Sequence, residues 1–298
     1  MTEASAEHAS VDASSLVRDL TREEFWRETF LGLTIHDLLR AEFPLNPLSD
    51  ASAVLADQKM RLEGYFQDRD EQLVDLADRL SHAIEHCAQL GIPPVFIFLF
   101  DEAWAAFYRQ HQMLSKFLGP DCQVLPDFWA WRVDPTAGQA GWKPHRDKGS
   151  AALAPDGTPL SLTMWVPLNE ASPLNGCMYL LPANRDPVYG TPQDKNWQID
   201  LPSIRALPGA PGDYFIWNQA VLHWGGQSSA FAQKPRISMA LEFQRADVAP
   251  FNRPLLGTLP FLTFQDRLKL IAKQITQYKH MYPLPPEMQA LAQKVLTG

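Results

Sequence analysis

The spacing of apolar side chains changes character once along the chain, near residue 122. Before that point it is helical. Phe25, Trp26, Phe30, Leu33, Leu38 and Leu39 follow Thr21-Arg-Glu-Glu24, a capping-box sequence, and predict a helix ended by the connection Pro44 to Pro47. Leu73, Ala77, Leu80, Ile84 and Cys87 predict a second helix, with Gly91 and Pro93 as stop signals. Val95 to Phe100 reads as a buried strand. Asp101 then reads as the N-cap of a helix running to Leu118 and closed by Gly119-Pro120.

Beyond residue 122 short apolar segments alternate with Gly, Pro, Asn and Asp turns. They are Phe128–Val133, Leu160–Leu168, Cys177–Leu181, Asp213–Trp217, Ala220–Trp224 and Arg236–Phe243, the texture of an antiparallel sandwich or barrel. Helical patterning returns over Phe264–Tyr278 and Glu287–Val295. The expected organisation is α+β. A disordered tail over 1–20 precedes one domain over 21–298. That domain comprises a mainly helical part (21–121), a β-rich core (122–248) and a C-terminal helical extension (249–298).

Composition narrows the partners. A net charge of −8 offers no basic field for nucleic acid or an anionic membrane. The longest strongly apolar run, Val95 to Phe100, is far too short to span a bilayer. The tail lacks the basic and apolar regions of a signal peptide. Three widely spaced cysteines, Cys87, Cys122 and Cys177, suit a reduced cytoplasmic protein. A small-molecule partner is therefore expected, and nothing in the pattern specifies an oligomeric state.

The candidate chemistry sits in the β-rich stretch. At strand geometry residues two apart point the same way, so His145 and Asp147 present an imidazole and a carboxylate to one point. His223, 76 residues after Asp147, supplies a second imidazole. Two histidines and a carboxylate on one face of Fe(II) leave three positions open, two for a bidentate 2-oxo acid and one for O2. Arg236 and Ser238, again two apart, begin 13 residues past His223. A guanidinium and a hydroxyl there suit the distal carboxylate of 2-oxoglutarate.

From Trp129 to Phe243 the chain resembles the phytanoyl-CoA dioxygenase-like family of Fe(II)/2-oxoglutarate oxygenases. The resemblance rests on the His145-Arg-Asp147, His223 and Pro235-Arg236-Ile-Ser238 segments. It also rests on Thr163-Met-Trp-Val-Pro-Leu168 with Asn175-Gly176, on Tyr179-Leu-Leu-Pro-Ala-Asn-Arg185 and on Gly212-Asp213. Ala183-Asn184 departs from the family's Gly-Ser, and the histidine usual before Arg185 is absent. The resemblance implies a double-stranded β-helix, or jelly roll, with the metal in its mouth, and succinate and CO2 as coproducts. It implies that Thr163 offers its hydroxyl to the cosubstrate. It also implies hydroxylation, or another two-electron oxidation such as desaturation or ring closure, over halogenation, because related halogenases lack the carboxylate ligand that Asp147 supplies.

Seven of nine tryptophans lie between 129 and 224, most of them expected in the core. Trp142, three residues before His145, is the candidate for the substrate wall. Arg146 points away from the metal by strand alternation and is a candidate for the substrate rim, with a surface ion pair as the competing reading. A rival motif, His82-Ala-Ile-Glu85-His86, spells the inverted zincin signature of a zinc metallopeptidase. The helical wheel places it on the solvated face, opposite the Leu73–Cys87 stripe. A non-catalytic jelly-roll binding protein is the remaining alternative.

Overall fold

The computed structural model describes residues 18–36, 44–257, 262–280 and 284–297. Among the described residues, the seven α-helices given below are set around two antiparallel sheets. The helices are α1 (Glu23–Thr29), α2 (Asp50–Glu63), α3 (Leu73–Gln89), α4 (Asp101–Tyr108), α5 (His111–Leu118), α6 (Phe264–Gln277) and α7 (Pro286–Thr297). Strands β1 (Tyr65–Arg69), β6 (Asp213–Asn218), β3 (Ser161–Pro167), β8 (Arg236–Gln244) and β2 (Gln123–Val133) form the larger sheet in that order. Strands β5 (Arg205–Leu207), β4 (Met178–Leu181) and β7 (Leu222–Gly225) form the smaller one. This is a jelly roll with flanking helices.

Strand alternation sorts the larger sheet into two cores. On one face Leu162, Met164, Ile237, Met239, Leu241 and Phe243 join the apolar sides of the N- and C-terminal helices in one cluster. On the other, Trp129, Trp165, Trp217 and Ala240 face the smaller sheet. Both faces are therefore buried, which is why β3 and β8 contain no exposed position. Each of the six strands expected from the sequence is present, with ends shifted by a few residues and β2 longer at its start.

The helical third departs more from expectation. Val95–Phe100 is not a strand: Pro94–Leu99 forms a 3-10 helix, entered through Pro93 with Pro94 in its first turn. Its apolar residues are buried on all sides, so their continuity does not distinguish strand from helix. The helix expected from Asp101 to Leu118 is two helices. They break where Arg109 grips Asp70 at 2.7 and 3.0 Å and Gln110 reaches the same carboxylate at 2.9 Å. Asp101 is the first helical residue, not the cap, and its carboxylate accepts from Arg267 and the His36 amide.

The first helix stops at Thr29, well before Pro44, and no capping box forms. Its cap residue is Arg22, without a side-chain bond, while the Thr21 hydroxyl donates to the Arg18 carbonyl. Leu38 and Leu39 lie outside the described residues, as do 1–17 of the expected tail. The tail boundary at 20 is corrected: Leu20 is fully buried, and its carbonyl accepts the Trp26 indole N–H at 3.0 Å. None of the described helices is long and apolar enough to cross a membrane.

Candidate metal and cosubstrate site

Segment 139–145 runs antiparallel to β7 and the loop after it. His145 and His223 exchange backbone hydrogen bonds, N–H to carbonyl, both at 3.0 Å. The pairing at His145 is a single bridge, not a continuous strand, yet it brings the side chains together as the spacing predicts. Nε2 of each histidine lies 3.4 Å from Asp147 Oδ1. One donor atom from each of the three residues falls within 4.8 Å of the others, the one such cluster among the described residues.

The surroundings orient these donors. His145 Nδ1 faces the Lys143 carbonyl at 2.7 Å, and His223 Nδ1 faces that of Val221 at 3.1 Å. A carbonyl only accepts, so each Nδ1 carries the proton and each Nε2 presents its lone pair to the shared point. Asp147 Oδ2 accepts from the Thr163 hydroxyl at 2.7 Å and the Trp217 indole at 3.3 Å, leaving Oδ1 turned toward the histidines. Thr163, expected to serve a cosubstrate, commits its proton to Asp147. Gln219 backs it with an N–H···Oγ1 bond of 3.0 Å.

Charge follows geometry. Burial opposes ionisation of Asp147, but the adjacent imidazoles and the Thr163 hydroxyl hold its carboxyl well below the usual range. Burial, only partly offset by Asp147, takes His223 down to about 4, so it is neutral at pH 7. His145 is half-buried, which opposes its protonation, yet its bond to Asp147 and that residue's charge raise it above 6.5.

Arg236 and Ser238 lie side by side on the inner face of β8, with Arg236 Nη1 donating to Ser238 Oγ. Arg236 is 1% exposed. Its guanidinium lies 5.9 Å from the Trp165 ring, its Nε has no acceptor, and it forms no ion pair among the described residues. Burial lowers its pKa to about 10, so it remains a cation at neutral pH. The metal-ligand candidates and Arg236 line one cavity of about 200 Å³. Gly141 crosses β7 here so closely that a Cβ on it would stand 2.7 Å from Gly225 Cα and 3.3 Å from Arg236 Nη2.

Trp142 lines the cavity, its ring 5.2 Å from that of His145. So do Trp129, Trp131, Trp165 and Trp217, in addition to Trp142, the wall candidate named from the sequence. Arg146 borders the cavity but is neither a rim residue nor a surface pair. Its guanidinium binds buried Asp186 at 2.6 Å and the carbonyls of Asp194 and Ala220. The zincin reading fails on geometry: His82 is 78% exposed, Glu85 is held by Arg132 at 2.8 Å, and His86 turns to Gln89.

Lys148, Trp217, Gln219 and Glu242 were not singled out from the sequence. Trp217 and Glu242 were within reach of alternation, since Glu242 shares the β8 face of Arg236, Ser238 and Ala240. Lys148 and Gln219 sit in turns, where no period applies.

The model of the phytanoyl-CoA dioxygenase (PhyH) family matches residues 46–234. The chain belongs to this family. Among solved structures, the PhyH chain is similar to the apo form of ThoJ, a non-heme monooxygenase. The two share 14% identity over 80% of this chain and 99% of that one, with a TM-score of 0.56. The ThoJ-Ni complex matches at 15% identity over 76% and 97%, with a TM-score of 0.54. The apo form of EctD from S. alaskensis matches at 19% identity over 75% and 87%, with a TM-score of 0.50. These likenesses show the jelly-roll fold. No curated protein matches the chain.

Proposed function

We propose that this PhyH-family chain is a non-haem Fe(II)/2-oxoglutarate-dependent dioxygenase that hydroxylates a small molecule, with His145, Asp147 and His223 as the metal ligands. The donor set fits the ion: two neutral imidazole nitrogens and one carboxylate, each oriented by a bond on its far side. Arg236 is the observation that carries the cosubstrate. A buried cation without an anionic partner is expensive, and breaking such a pair costs about 3–5 kcal/mol. A site that retains one has a mobile carboxylate as its partner, and the distal carboxylate of 2-oxoglutarate supplies it, with Ser238 beside the guanidinium.

Held by His145, Asp147 and His223, Fe(II) would supply O2 activation coupled to decarboxylation of 2-oxoglutarate to succinate and CO2. The chain's residues hold and orient. Thr163 and Trp217 keep Oδ2 of Asp147 occupied so that Oδ1 faces the metal position, and the tryptophan walls exclude water. With Asp147 supplying a carboxylate beside the two histidines, the donor set would leave no protein-ligand place for a halide, which favours hydroxylation over halogenation.

The test is anaerobic addition of Fe(II) and then 2-oxoglutarate. A visible metal-to-ligand charge-transfer band is expected, and its absence would remove the assignment. In Arg236→Ala the 2-oxoglutarate requirement is expected to rise at least tenfold with iron affinity little changed. The lost charge-assisted bond is worth about 1.5–3 kcal/mol. A cosubstrate requirement within twofold of wild type would count against the role of Arg236.

A further inference from the structure

Past Arg236 and Ser238, the inner face of β8 continues through Ala240 to Glu242, which lines the same cavity. Glu242 is 1% exposed. The Lys148 ammonium pairs with its Oε2 at 2.9 Å, and among the described residues no other donor reaches that oxygen. A buried carboxylate ordinarily accepts several. Behind it Asp127, 0% exposed, is held by neutral donors: Asn252 Nδ2 to both oxygens and the Tyr278 hydroxyl, all at 2.8 Å. Lys273, half-buried, bonds Asn252 and Gln277 and stops short of Asp127. Two buried carboxylates thus flank this end of the cavity, and among the described residues Lys148 is the one ammonium in contact with either.

The wall beside them is aromatic. Trp129, Trp142 and Tyr278 meet edge to face with centroids 5.6 to 5.9 Å apart, and all three line the cavity. Ring faces are electronegative and attract cations. The metal half makes no demand for charge: iron at +2, Asp147, a dianionic cosubstrate and Arg236 sum to zero. At the other half two carboxylates share the single Lys148 ammonium, and burial pushes the Glu242 carboxyl up to about 8, so a second cation there is what would hold it ionised.

We propose that Glu242 anchors a cationic amine on the substrate, with Trp129, Trp142 and Tyr278 as its aromatic wall. The substrate class is then a small amine. This rests on the reading of the site as an iron and 2-oxoglutarate centre. In the free enzyme Lys148 is the counter-ion of Glu242. Its side chain, 18% exposed on a flexible stem, gives way when the substrate ammonium takes the carboxylate.

The test is calorimetric binding to wild-type enzyme held anaerobically with Fe(II) and 2-oxoglutarate. The probes are matched amine, alcohol and carboxylate on butyl, phenylethyl and indolylethyl skeletons. On any skeleton that binds, the amine is expected to bind at least tenfold more tightly than its partners, and Glu242→Gln to erase that preference. A carboxylate binding best, equal binding of all three, or no binding of any amine overturns the inference. So does a preference that survives in Glu242→Gln. If that variant does not fold, the wild-type comparison decides alone. The charge-transfer band is read first on the same sample: its absence refutes the iron and 2-oxoglutarate reading, whereas its presence without amine preference refutes only this one.

Discussion

At the scale of single residues, His145 sets the pH behaviour of the site. A metal displaces the proton from any ligand that still holds one. Asp147 and His223 have already lost theirs above about pH 6, being held low by their neighbours and by burial respectively. His145 is raised above 6.5, against burial, by its bond to Asp147 and that residue's charge. Iron affinity should therefore climb about tenfold per pH unit below this raised value and level off above it. A chelator-competition titration over about pH 5.5 to 8 checks this, and a flat profile would take His145 out of the site. Thr163 offers a second test. Thr163→Val removes the hydroxyl from Asp147 Oδ2 and should weaken iron binding about 10–100-fold, with Thr163→Ser restoring most of it. Equal affinity in wild type and Thr163→Val would leave the Thr163 bond without a part in metal binding.

At the scale of elements, legibility followed burial. The β3 and β8 strands stood out because both faces are covered and most positions are apolar; of the polar ones, Ser161 and Gln244 lie at strand ends, while Thr163, Arg236 and Glu242 line the cavity and Ser238 bonds Arg236. Helix α3 stood out because its stripe from Leu73 to Cys87 is buried while its other face is wet. Helix α2 was missed for the opposite reason: Val54, Leu55 and Leu62 are 57%, 51% and 59% exposed, so its apolar residues mark no buried face. Strand β1, at the sheet edge and carrying Gln67, Asp68 and Arg69, shows no apolar run at all. The proposed ligands and Arg236 were picked out by spacing, whereas partners such as Gln219 reach the proposed site through a turn. The contact between Gly141 and β7 also belongs to this scale. In Gly225→Ala the new Cβ would stand 2.6 Å from Gly141 Cα, forcing the segment that carries the proposed ligand His145 away from its strand. The expected result is a loss of about 1–3 kcal/mol in thermal or denaturant unfolding, together with a higher 2-oxoglutarate requirement. Wild-type values in both measurements would show that the two segments part freely.

At the scale of the whole molecule, the larger sheet divides the labour. Its outer face is buttressed by helices from both ends of the chain, and its inner face lines the cavity of the proposed site. Tyr278, just past α6, links the two by walling the cavity while its hydroxyl bonds Asp127 on β2. The outer shell should tolerate polar change that the inner face does not. His82→Ala with His86→Ala, on the solvated side of α3, is expected to leave bound iron and succinate formation within twofold of wild type. Loss of turnover accompanied by loss of stoichiometric zinc would instead revive a peptidase.

The reciprocal backbone bonds between His145 and His223 mean that folding, not the ion, brings the two imidazoles together. The entropy of gathering them is spent before any metal arrives, so ions should load and leave without reordering the chain. A rack of this kind discriminates poorly by size. Nickel, copper and zinc prefer nitrogen donors more strongly than ferrous iron does, and each would occupy the same rack as a competitive poison. Which ion the enzyme carries then depends on which is supplied.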